Sequence, residues 1–137
     1  MCLAKFAKKY RDYNVLLLRI ALGLVFTIAG YGKLFGGIDG FAGMLSGTFG
    51  SLAVVLAWIV ALIEFIGGIG VLVGIATRPF AALHAIIMVF AIGLVHLGQG
   101  WAGIQFPFVL LLVALSLVIT GGGKVLNFDK KLFGKEC

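Results

Sequence analysis

SLAVVLAWIVALIEFIGGIGVLVGIA, residues Ser51 to Ala76, carries one charged residue, Glu64, with about a dozen uncharged and mostly apolar residues on either side. At ~1.5 Å of rise per residue, a helix of this run spans a ~30 Å hydrocarbon layer and sets the carboxyl near its centre. An ionisable group at that depth costs on the order of 2.5–3.5 kcal/mol by insertion scales, and such residues face other helices or take part in function. The stretch therefore points to a bilayer as the solvent and to Glu64 as the first candidate for chemistry.

Composition agrees. The chain has 137 residues, 62% hydrophobic and 12% charged. A soluble domain carries roughly twice that charge. The length allows a single domain, 1–137, and no Pro- or Ser-rich linker divides it. The net charge of +6 raises nucleic acid as a partner, but the basic residues flank apolar runs and form no stripe beside exposed aromatics, which argues against it. Cys2 and Cys137 stand at the two ends and no C-x-x-C occurs, so neither a thiol redox pair nor a metal site is expected.

Four apolar runs stand out, at about 15–35, 52–75, 80–97 and 104–120. Joined by short segments, they predict an all-α membrane protein, an antiparallel four-transmembrane-helix bundle with short interfacial helices and basic ends at 1–14 and 121–137. Leu3, Phe6 and Tyr10 share helical spacing, as do Val125, Phe128 and Leu132 in the tail. Gly36–Gly50 is rich in glycine, and Phe41, Met44 and Leu45 give it an amphipathic interfacial turn. The charge asymmetry is strong. Lys5, Lys8, Lys9, Arg11, Arg78, Lys124, Lys130, Lys131 and Lys135 fall on one side and Lys33 alone on the other. The positive-inside rule then puts both termini in the cytoplasm. There a Cys2–Cys137 disulfide is not expected.

Depth sorts the polar groups. Counted from the inner end of each run, Arg19 and His84 come out at roughly 6–8 Å, Glu64 at roughly 15 Å, and Tyr31, Lys33, His96 and Gln105 at roughly 24–27 Å. Arg19, Gly23, Phe26, Gly30 and Lys33 share one helical stripe. Glu64 shares another with Ala57, Val60, Ala61, Gly67, Gly68 and Val71, small residues of the kind that face neighbouring helices. Helical side chains lean toward their own N-terminus, so Glu64 leans outward while Tyr31, Lys33 and His96 lean inward to meet it. The expectation is a cluster of Glu64, Tyr31, Lys33, His96 and Gln105, in preference to an Arg19–Glu64 bridge. Glu64 is the candidate proton carrier, with His96 beside it. Tyr31, Lys33, Gln105, Arg19 and His84 are candidate substrate contacts. The bland alternatives are a packing carboxyl for Glu64, snorkelling for Arg19 and hydrogen-bonded packing for His84.

With those residues in view, the sequence resembles the DoxX family of small four-helix membrane proteins. The resemblance rests on LLLRIALGLVFTIAGYGKLFG at Leu16–Gly36, GFAGML at Gly40–Leu45, ALIEFIGGIGVLVGIATRP at Ala61–Pro79, HLGQGW at His96–Trp101 and the closing TGGGKVLNFD. It implies a subunit in the prokaryotic plasma membrane, linked to oxidoreductase activity. Family members often carry a Glu at the start of the fourth helix, where this chain has Gln105. The resulting expectation is a quinone-linked oxidoreductase subunit that binds a quinone or small redox substrate around Glu64. No motif here binds flavin, nicotinamide, haem or iron–sulfur, so electrons would be carried by a soluble or membrane redox partner or by the quinone itself. The competing readings are a non-catalytic assembly or cargo-binding protein and, with less support, a small-solute transporter. Association into a homo-oligomer is compatible with all three.

Overall fold

The computed structural model describes residues 2–133. The expectations for Lys135 and Cys137, including any pairing with Cys2, lie outside these residues, as do the side chains of Lys130 and Leu132. The described chain is all helical: α1 (Cys2–Lys9), α2 (Asn14–Gly32), α3 (Ile38–Phe49), α4 (Ala53–Val73), α5 (Thr77–Ala91), α6 (Gly100–Thr120) and α7 (Phe128–Phe133). Two continuous helical stretches, 11–73 and 77–120, are each long and apolar enough to cross a membrane. Each is bent. The first breaks at Phe35 and Gly36, which leave helical geometry, and again at Gly50, whose φ is +55°. The second passes through a widened turn at Ile92–His96 and then Gly100, with φ +68°.

The outward faces are greasy. Leu17, Ile28, Ile66, Phe106 and Ile119 are all exposed, while the buried core is mainly small residues around Leu22, Phe26, Val71 and Leu117. A chain so built would hold large apolar patches against water, far beyond what soluble proteins expose.

Helices α2 and α4 approach closely because glycine removes the side chain at their contact. A Cβ at Gly68 would lie 2.5 Å from the Thr27 backbone nitrogen, and one at Gly30 would lie 2.4 Å from that of Phe65. Gly23 meets Leu72 and the Gly68 carbonyl in the same way. These are the stripes read from the sequence: Ala57, Ala61, Glu64, Gly67, Gly68 and Val71 are all buried, and Arg19, Gly23, Phe26 and Gly30 are buried opposite them. Helices α5 and α6 pair alongside, and α3 lies against α4.

One end of the molecule is locked by Arg19. Its guanidinium is fully buried and donates to five main-chain carbonyls. Nε reaches Val71 at 2.9 Å. Nη1 reaches Gly122 at 3.1 Å and Val125 at 2.9 Å, and Nη2 reaches Leu72 and Leu126 at 2.8 Å each. The start of α2, the last turn of α4 and the segment after α6 are thereby tied together. Asp129 completes the knot: its Oδ2 accepts from the Ala76 amide at 2.6 Å, just ahead of α5. Two expectations change here. Arg19 does not snorkel, because α4 ends beside it and offers unpaired carbonyls that a guanidinium fits better than water does. Of the three tail residues at helical spacing, Phe128 and Leu132 fall in α7 and Val125 does not. Val125 and Leu126 lie in an irregular turn that presents carbonyls to Arg19, and helix resumes only at Phe128.

Candidate functional site

Glu64 sits midway along α4, where the small residues of its stripe leave room for neighbours, and it is 2% exposed. Lys33 follows the last turn of α2, at the start of the broken turn Lys33–Gly37. Its Nζ donates to Glu64 Oε2 at 2.5 Å and also lies over the Phe41 ring, 4.5 Å from its centroid. Of the expected cluster, this is the contact that the structure makes.

The pair forms part of the wall of a cavity of about 550 Å³. Phe26 of α2, Phe41, Met44 and Leu45 of α3, Ile63 of α4, Met88 of α5 and Leu110 of α6 are among its other walls. Lys33, Glu64 and His96 are the polar side chains among the lining residues. Cavities of this size, apolar with a few convergent polar groups, are the usual form of small-molecule sites.

The other expected residues take different places. His96 reaches the cavity wall, but its Nδ1 pairs with Gln99 Oε1 at 3.3 Å and not with Glu64. Tyr31 is 56% exposed and packs on Phe35 and Phe65, on the face away from the cavity. It stands two residues before Lys33, about 200° around the helix, so equal depth did not bring it to the same side. Gln105 is exposed and off the wall, where Phe106, Pro107 and Leu110 stand instead. His84 is fully buried, stacked on Phe26 at 3.9 Å and 5°, with Nε2 3.3 Å from the Ile63 carbonyl. It braces the cavity from behind, and its Nδ1 finds no partner among the described residues. Arg19 has all five N–H groups committed and none left for a ligand.

The sequence reading missed two features. It placed α3 at the interface without a role, although the spacing of Phe41, Met44 and Leu45 marks the face that now roofs the cavity. It also passed over Gln99, which orients His96 and bonds the Val95 carbonyl at 3.3 Å. Among the described residues, no three of His, Cys, Asp and Glu converge as a metal ion would require.

Fold and cavity together define an all-helical, apolar-faced protein with a ligand-sized, partly open space beside a half-buried ion pair. The chain belongs to the DoxX family, whose model matches residues 14–97. It is similar to a Bacillus subtilis (strain 168) protein named "Putative oxidoreductase CatD", 35% identical over 129 residues that cover 91% of this chain and 92% of that protein. No solved structure matches it. Family and apolar helices together mark the chain as membrane-associated.

Proposed function

We propose that this protein is a multi-pass subunit of the prokaryotic plasma membrane that binds a quinone, or a similarly lipophilic redox ring, in the cavity beside Lys33 and Glu64. Helices α2, α4, α5 and α6 would form an antiparallel four-helix bundle across the bilayer. The end knotted by Arg19 would face the cytoplasm with both termini, a reading supported by the basic residues of α1 and the tail.

The observation that carries the reading is the juxtaposition of one half-buried ion pair, with His96 the further polar side chain, and apolar walls in a ligand-sized space. A lipophilic ring suits the aromatic and methionine side chains, and a ring carbonyl suits Lys33. An ammonium has three donors, and one of them is on Glu64. Lys33 thus holds the carbonyl oxygen, and Glu64 is the group through which a proton is held or moved at that oxygen. His96, steadied by Gln99, stands further along the wall as a second proton group. A bound quinone supplies electron acceptance coupled to protonation. The sequence carries no motif for flavin, nicotinamide, haem or iron–sulfur, so we assign the donor to a redox partner protein, for which the basic cytoplasmic ends offer a surface. The name of the Bacillus subtilis relative is consistent with such a role.

Photo-crosslinking tests this. An azido-quinone irradiated with the protein in nanodiscs should label the cavity walls, with adducts on α3 and α5 near Met44 and Met88. Excess unmodified quinone should suppress them. Labelling confined to the outward faces, unaffected by competitor, would remove the quinone reading and favour the assembly or cargo role.

A further inference from the structure

Helix α3 has an unusual division of labour. Its face at Phe41, Met44, Leu45 and Phe49 roofs the cavity. Its opposite face carries Gly40, Gly43 and Gly47, spaced 3 and 4, and Gly36 and Gly50 flank the helix just beyond its two ends. Those glycines answer no packing need: a Cβ at any of the five would meet nothing within 4 Å. They contrast with Gly23, Gly30, Gly68 and Gly70, where a Cβ would strike a neighbouring helix or ring. Glycine inside a helix weakens it relative to alanine. Three such positions therefore weaken α3 as a helix, and its packing along α4 is what holds it in place. Both ends are broken as well, by the non-helical Phe35 and Gly36 on one side and by Gly50, with φ +55°, on the other.

We infer that α3 is a lid over the cavity, hinged at Phe35–Gly36 and Gly50 and latched by the contact of the Lys33 ammonium with the Phe41 ring. The latch ties the lid to the site, because the same Nζ is bonded to Glu64. A cation over an aromatic ring is worth more where water is excluded, so a closed lid strengthens its own latch. A ligand that draws Lys33 toward itself changes that contact, and the lid registers occupancy. The glycine face keeps opening affordable. The ligand then enters from the outer half of the bilayer, past α3, without parting α2 from α4. The lid itself is independent of what the cavity holds; only its response to a quinone rests on the function proposed above.

Spin labels placed at Thr48 on α3 and Leu112 on α6, both exposed, report the lid in nanodiscs after Cys2 and Cys137 are replaced by serine. Without ligand, the distance distribution should contain a closed and an open population. Gly40→Ala, Gly43→Ala and Gly47→Ala together should reduce the open share roughly tenfold or more, since each alanine favours the helix and none clashes. Phe41→Leu should enlarge it. One narrow population, identical in all three proteins, would overturn the lid. So would alanines that change only the oligomeric state, because the glycine face would then be a helix-docking surface. Adding a short-chain naphthoquinone should shift the wild type to the closed population. If the ligand-free populations respond to the substitutions and the quinone changes nothing, the lid stands and the quinone assignment fails.

Discussion

Arg19→Met should abolish the native fold. The substitution removes five donors at once and leaves the carbonyls of Val71, Leu72, Gly122, Val125 and Leu126 without this partner, those of Val71 and Gly122 in fully buried positions. Hydrogen bonds from a charged group contribute about 1.5–3 kcal/mol each, and a buried carbonyl left without a partner costs about 1–3 kcal/mol. These terms do not add fully. Even so, the loss should exceed about 5 kcal/mol, which is exceptional for one residue and comparable to the whole stability of a small domain. Arg19→Lys should be intermediate, because an ammonium has three donors and no planar fork. Monodisperse yield and thermal unfolding in detergent report the effect. Hydrogen exchange should rise first at residues 121–129, the segment that Arg19 holds. Arg78→Ala is the control. Arg78 makes an exposed 3.4 Å contact with the Ile119 carbonyl, and its loss should cost little.

Removing Glu64 should separate folding from binding. Glu64→Leu leaves the Lys33 ammonium beside an apolar wall, and breaking one half of a buried pair costs about 3–5 kcal/mol. Lys33 keeps a quarter of its side chain exposed, so the low end, about 3 kcal/mol, is expected. Replacing both partners, Lys33→Met with Glu64→Leu, should recover most of that loss, since well-packed apolar pairs match or exceed ionic ones in burial. Quinone retention should fail in the single and the double variant alike. Unfolding midpoints and a binding titration on the same preparations separate the outcomes. A double variant that is both stable and quinone-binding would show that the pair serves packing alone.

The sequence revealed the helices and their facing stripes because period and composition carry that information. Gly23, Gly30, Gly67 and Gly68 had to face a neighbour, and the lean of Glu64 and Lys33 toward each other was correct. What stayed hidden has physical reasons. Arg19 binds main-chain carbonyls, which have no residue signature, so nothing in the sequence marked residues 122–126 as its partners. Depth along a helix says nothing of azimuth, which misplaced Tyr31 and Gln105. The roof formed by α3 was hidden because its apolar spacing fits lipid contact and cavity contact equally well, and only the packed helices distinguish them. The break at Phe35–Gly36 was also invisible, because glycine is common within membrane helices.

The most direct test of the central claim is to extract and weigh what the protein carries. Purified gently from its own membrane, the wild type should yield quinone in near-stoichiometric amount by mass spectrometry, and the folded Lys33→Met/Glu64→Leu variant should yield almost none. Wild-type protein that carries no quinone, and takes none up when it is supplied in nanodiscs, would contradict the assignment of this cavity.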